Sequence, residues 1–129
     1  MTNALKIETF PYFFAIAKIR NHASINWKSP FVFVGKTDDE LSLVALESEV
    51  PSDAYPVDRG YRMMRVAGTL DMSLTGILAR ISKVLADEEI PIFAVSTYNT
   101  DYILVKSHTF KNAVQALSRA GYLVTNEIS

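Results

Sequence analysis

Two stretches carry the residue types that could do chemistry. The first is Gly68-Thr69-Leu70-Asp71-Met72-Ser73-Leu74-Thr75-Gly76-Ile77-Leu78, which joins a predicted strand over residues 62–67 to an amphipathic helix. A strand end, a glycine and a helix N-terminus together present backbone N–H groups and the positive end of a helix dipole. Such a corner can hold a carboxylate with no basic side chain present. Asp71 can accept a hydrogen bond from a ligand ammonium, or serve as a first-turn acid stabilised by the dipole. Gly68 and Gly76 allow close backbone approach to a ligand, or tight strand–helix packing. Thr75 is either a donor to a carboxylate or a solvated first-turn residue. The second stretch is Thr97-Tyr98-Asn99-Thr100-Asp101, a polar turn with an acid where the next strand begins. There Asp101 can bind an ammonium or guanidinium group, or bond the turn's own N–H groups.

Other chemistry is poorly provided for. The chain has no cysteine, which excludes disulfides, thiolate metal sites and cysteine nucleophiles. His22 and His108 stand far apart with no metal-ligand spacing around either, so no metal and no cofactor is expected. Ser96 and Thr97 have no histidine base to activate them, and no catalytic constellation marks the chain as an enzyme. With a formal charge of −1, nothing electrostatic favours nucleic acid or an anionic membrane as a partner. No apolar run reaches membrane-spanning length and the first residues lack a signal-peptide core, so a cytoplasmic protein is expected.

The elements that must position these residues follow from periodicity. Leu5-Lys6-Ile7-Glu8 and Tyr12-Phe13-Phe14-Ala15-Ile16-Ala17, with Pro11 between, read as one bent or broken strand. Residues 24–28 have room for about one helical turn before Ser29-Pro30. Phe31-Val32-Phe33-Val34 and Leu41-Ser42-Leu43-Val44-Ala45-Leu46 read as a hairpin turning at residues 36–39. Residues 49–60, with Pro51, Pro56 and Gly60, read as a linker, dividing the chain into lobes at 1–58 and 59–129. In the second lobe Leu74, Ile77, Leu78, Ile81, Val84 and Leu85 make one helical stripe, capped by Ser73 or Asp71 and ended by Pro91. Strands over 92–97 and 101–106 follow, then a helix capped by Thr109 with Gly121 as its C′ residue, then a last strand. The order is βαββαβ. Phe33-Val34-Gly35-Lys36-Thr37 with Glu40-Leu41-Ser42-Leu43-Val44 echoes Phe93-Ala94-Val95-Ser96-Thr97 with Asp101-Tyr102-Ile103-Leu104-Val105, if the register shifts by one residue in the turn. The predicted fold is α+β: two ferredoxin-like βαββαβ lobes, the first with a reduced helix, each an antiparallel sheet with helices on one face.

Known uses of this topology can be tested at their sites. An RNA-recognition module needs a basic, aromatic motif on the strand that here reads Asp101-Tyr102-Ile103-Leu104-Val105. A metal chaperone needs a Cys-x-x-Cys, and an acylphosphatase an arginine-bearing loop where this chain has Gly68-Thr69-Leu70-Asp71. A ligand-binding regulatory lobe survives. The stretch 68–78, the stretch 92–105 and Thr37-Asp38-Asp39-Glu40-Leu41-Ser42-Leu43-Val44 together resemble the ACT-domain family. More narrowly, they resemble the paired-ACT bacterial proteins related to the eukaryotic CASTOR arginine sensors.

That resemblance implies a non-catalytic regulatory protein binding a small effector, usually an amino acid or similar zwitterion, at lobe interfaces. Carried over by position, the ligand loops are residues 68–76, with Gly68, Leu70, Asp71, Thr75 and Gly76, and residues 97–101, with Thr97, Tyr98, Asn99, Thr100 and Asp101. In the sensors the site lies between two second-type lobes of one long chain; this chain has one, so a homodimer is implied. Two other readings stay open: a ligand-free assembly module, and a regulatory subunit of an amino-acid metabolic enzyme.

Overall fold

The apolar stripe forms helix α1, Ile77–Asp87, in the computed structural model, which describes residues 5–67 and 75–127. Ile77, Ile81 and Leu85, each four residues apart, are buried on one face. The expected caps Ser73 and Asp71, and Leu74 at the head of the stripe, lie outside the described residues. The N-cap is Gly76, left-handed at φ 73°, and no side chain among the described residues caps the helix. Nor does Pro91 end it. The N–H groups of Glu89 and Ile90 donate to the carbonyls of Ala86 and Leu85, each at 2.9 Å. These are the two bonds of a Schellman ending, and they put Glu89 in the left-handed position, at φ 59°, that glycine usually takes. Ile90 is buried in the same core cluster as Leu85, the apolar contact that accompanies such an ending. Asp87 and Glu88, exposed at the end of the helix, face cations: Lys83 lies 2.9 Å from Asp87 and Arg119 3.8 Å from Glu88.

By contacts the chain forms two units. One joins the start of the chain, up to Pro11, to everything from Arg62 onward; the other is Tyr12–Tyr61. The first unit contains the expected β-α-β-β-α-β order: the second half of β5 (Val57–Val66), α1, β6 (Phe93–Ser96), β7 (Asp101–Lys106), α2 (Ser107–Arg119) and β8 (Leu123–Glu127). It also contains β1 (Lys6–Thr9), antiparallel to β5 and parallel to β8, so β1 lies between the first and last strands of that order. On the other side of β5 comes β7, then β6. Of the bent or broken strand expected over residues 5–17, the broken form is found: β1 and β2 (Phe14–Lys18) are separate strands that both pair with β5, with β8 beside the one and β4 (Leu41–Leu46) beside the other. Arg65 holds β1 in place through an ion pair to Glu8 at 2.7 Å, and the Arg62 guanidinium donates to the Phe10 carbonyl at 2.8 Å. Helix α2 starts at Ser107 with Lys106 as N-cap, not at Thr109, whose hydroxyl donates back to the Lys106 carbonyl at 2.9 Å. Gly121 follows the helix at φ 102°, as the C′ reading requires. The core joins Met64 and Val66 of β5, Ile103 and Val105 of β7, and Ile7 of β1 to the inward faces of both helices, including Ala113 and Leu117.

The second unit holds β2 (Phe14–Lys18), β3 (Val32–Lys36), β4 (Leu41–Leu46) and the first half of β5, in the antiparallel order β3-β4-β2-β5. This is again the ferredoxin-like order, with both helices shortened to single 3-10 turns, His22–Ser24 and Glu47–Glu49. Ser29-Pro30 and Pro51 leave no room for a longer helix at either place. A small cluster of Ile19, Ile25, Leu43 and Ala45 fills the face that helices would cover. The stretch 49–60 is a linker only as far as Pro56, because Val57 and Asp58 already pair with Ala17 and Ile16 of β2.

The two β-hairpins match without any shift of register. Thr37 N–H donates to Glu40 O at 2.9 Å, and Thr97 N–H, sixty positions later, donates to Thr100 O at 2.9 Å. Phe33 pairs with Val44 as Phe93 pairs with Leu104, and Lys36 with Leu41 as Ser96 with Asp101. Asp101 is thus the counterpart of Leu41. The expected equivalence of Asp101 with Glu40 does not hold.

Candidate functional site

The polar turn is built from threonine. At its head, Thr97 closes the four-residue turn through its N–H, and its hydroxyl donates to the Thr100 carbonyl at 3.0 Å. These bonds satisfy backbone groups that a hairpin tip would otherwise leave to water. Tyr98 stands at the tip, 97% exposed, and Asn99 is exposed beside it. Thr100 points the other way. It is 6% exposed, and its hydroxyl donates to the carbonyl of Val66 at 2.7 Å. Val66 is the last residue of β5, where the chain leaves for α1. One buried hydrogen bond therefore fixes the turn against the start of the connection predicted to hold a carboxylate.

Asp101 opens β7, half-buried, and Ser96 of β6 lies directly opposite. The Ser96 hydroxyl donates to Asp101 Oδ1 at 2.6 Å. The Asp101 side chain is thus engaged across the hairpin with a hydroxyl. Sequence reasoning passed over Ser96, weighing it only as a nucleophile. The signal that finds it is strand pairing, since the residue before a four-residue turn faces the residue after it.

Of the residues predicted in the loop before α1, Gly68, Leu70 and Asp71 lie outside the described residues. Thr75 and Gly76 are described and exposed. Their carbonyls accept from Arg80, Gly76 O from the Arg80 N–H at 2.9 Å and Thr75 O from Nη1 at 3.0 Å. A side chain at Gly76 would meet Arg80 Nη1 at 3.2 Å and would have to take a left-handed backbone. Its glycine therefore serves the conformation at the head of the helix. The structure brings together Thr97, Thr100, Asp101, Ser96 and Val66; Thr75 and Gly76 belong to the head of α1.

Among the described residues no three His, Asp or Glu side chains gather as a metal site, and no helix is long and apolar enough to cross a membrane.

A family model described as ACT domain matches residues 57–119, the stretch that contains β5, α1, the polar turn and α2. No curated protein matches the chain. Among solved structures, the chain is similar to protein Atu0741 from Agobacterium tumefaciens at 29% identity and a TM-score of 0.88, covering 99% of this chain and 97% of that one. It shares its fold with the regulatory subunit of aspartate kinase from Thermus thermophilus, in ligand-free form, at 10% identity and a TM-score of 0.63 over 88% of this chain and 95% of that one. It also shares its fold with aspartate kinase from Synechocystis, at 17% identity and a TM-score of 0.70, where 96% of this chain covers 28% of the enzyme.

Proposed function

We propose that the chain is a non-catalytic regulatory protein of tandem ACT type that binds an amino acid, a bacterial relative of the CASTOR sensors acting as a cytoplasmic homodimer. The observation that carries this reading is the 2.7 Å hydrogen bond from Thr100 to the Val66 carbonyl. It holds an acid-bearing turn against the end of the strand from which the chain departs for a helix whose N-cap is glycine. In this reading, backbone N–H groups of the loop 68–76, including those of Gly68 and Leu70, take the ligand's carboxylate, favoured by the positive end of α1. Asp101, with Asp71 in support, takes the positive group. Thr75, Thr97, Tyr98 and Asn99 line the approach, and Thr100 fixes the frame.

The family match over 57–119 and the regulatory-subunit fold support a regulatory role. The matched hairpins, each closed by a threonine N–H, support two related lobes. Ligand capture at a dimer interface shifts how the copies sit by as much as the ligand's differential affinity for the two arrangements.

A thermal-shift screen of the L-amino acids tests the proposal, because a ligand that binds only the folded state raises the melting temperature. Asp101→Ala is expected to remove the shift and leave the ligand-free circular dichroism unchanged. An undiminished shift in that variant would take Asp101 out of the site. If no amino acid stabilises the wild-type chain, the assembly-module reading replaces this one.

A further inference from the structure

We infer that Ser96 is a positioning residue for the carboxylate of Asp101, an inference that rests on the reading of Asp101 as the group receiving the ligand's positive charge. The Ser96 hydroxyl reaches Asp101 Oδ1 at 2.6 Å, in the short range of a bond to an ionised carboxylate. A carboxylate otherwise rotates broadly about its last torsion. A donor fixed on one oxygen sets the plane of the group and leaves Oδ2 as the oxygen that meets the ligand. A ligand meeting a carboxylate already oriented loses less freedom on binding.

The matching hairpin of the other unit shows that the turn does not require this pair. It closes through the same threonine N–H bond, at the same 2.9 Å, with Lys36 and Leu41 in the facing positions. That hairpin has a hydroxyl–carboxylate bond elsewhere. Ser42 donates to Glu40 Oε1 at 3.0 Å, between residues two apart on one strand. A serine facing an aspartate is therefore an addition peculiar to the unit matched by the ACT model, placed at the residue assigned to the ligand.

The experiment compares the wild-type chain with Ser96→Ala, Ser96→Thr, Ser42→Ala and Asp101→Ala. Each proteinogenic L-amino acid is the probe in thermal shift, and any that stabilises the wild type is followed by calorimetric titration. Ser96→Ala is expected to weaken binding about tenfold, the usual consequence of losing a hydrogen bond to a charged group. Ser96→Thr, which restores the hydroxyl, and Ser42→Ala, which removes an equally exposed hydroxyl–carboxylate bond, are expected to bind as the wild type does. A Ser96→Ala variant with lowered melting temperature but wild-type affinity overturns the inference, because the hydroxyl then serves only the fold. In that outcome, lost binding in Asp101→Ala keeps the ligand reading standing. A wild-type chain that no amino acid stabilises overturns both together.

Discussion

Thr100→Val isolates the bond on which the candidate site depends. Valine keeps the β-branched shape of threonine, 6% exposed here, and removes the hydroxyl. What is lost is one 2.7 Å hydrogen bond, and the Val66 carbonyl loses that donor in a buried place. A net hydrogen bond contributes about 1 kcal/mol, and a buried acceptor left without its partner costs roughly 1–3 kcal/mol. A destabilisation of about 1–2 kcal/mol follows, which for a chain of this length lowers the melting temperature by roughly 3–8 °C. Thr100→Ser is the control. It keeps the hydroxyl and drops one methyl, costing about 0.8 kcal/mol through lost burial. Urea denaturation measures both, and thermal shift with the stabilising amino acid measures the response to ligand. Valine should lower stability more than serine and blunt the ligand response, whereas serine should preserve the response. If valine is as stable as the wild type, or serine loses the response equally, the bond does not hold the turn against β5.

Two further outcomes test other parts of the structure. Glu89→Gly should stabilise the chain by about 1 kcal/mol, because a non-glycine residue in the left-handed region costs about 1–2 kcal/mol and glycine's extra unfolded-state entropy returns only part of that. Glu89→Gln, which changes charge and not backbone preference, should shift stability by only a few tenths of a kcal/mol, and equal gains in both would assign the effect to the helix dipole. The Tyr61 hydroxyl, raised to about 12 by burial and by its hydrogen bond to Asp58 and that residue's charge, keeps its proton in the folded chain where the unfolded chain has lost it. Its contribution to stability is full below about pH 10 and is lost as the pH rises toward 12. Tyr61→Phe should flatten that alkaline decline, and a tyrosinate absorbance titration in which the difference between wild type and Tyr61→Phe rises as early as model tyrosine does would refute the assignment.

How much of this was legible beforehand depended on whether the signal was periodic or paired. Ile77, Ile81 and Leu85 announce a helix by spacing alone, and Ile103 and Val105 a strand face, because burial of a repeating face is what fixes both elements. Boundaries were less legible. Pro91 looks like the stop of α1 in the sequence, yet the stop is a pair of carbonyl bonds made possible by Glu89 in a conformation its type does not advertise. The place of β1 between β5 and β8 was not legible at all, since a four-residue alternation names a strand and not its neighbours. Composition marks the polar turn but not the direction of Thr100: threonines at positions 97 and 100 look alike in sequence, and only burial separates the one that closes the turn from the one that reaches Val66. The shifted alignment of Glu40 with Asp101 came from matching charges, whereas backbone pairing matches Leu41 with Asp101.

That corrected alignment bears on how many sites each chain has. If charge were what the repeat preserved, Glu40 would stand where Asp101 stands and the hairpin over residues 32–46 would be a second candidate. Instead the position equivalent to Asp101 is the apolar Leu41, packed against the small core of its unit. The missing helices matter as much. A helix dipole is the sum of many aligned peptides, and the three-residue turns at His22–Ser24 and Glu47–Glu49 align too few to favour an anion. Ser24 moreover turns its hydroxyl onto the Asn21 carbonyl at 2.7 Å, and the Asn21 side chain accepts the Ala23 N–H at 2.8 Å, so the head of that turn is already capped. Among the described residues, Asp101 and the glycine-headed helix α1 belong to the same unit as the second half of β5 and the β6–β7 turn. With turns of three residues in place of helices, the Tyr12–Tyr61 unit keeps the ferredoxin-like strand order without a helix N-terminus of the kind that α1 provides.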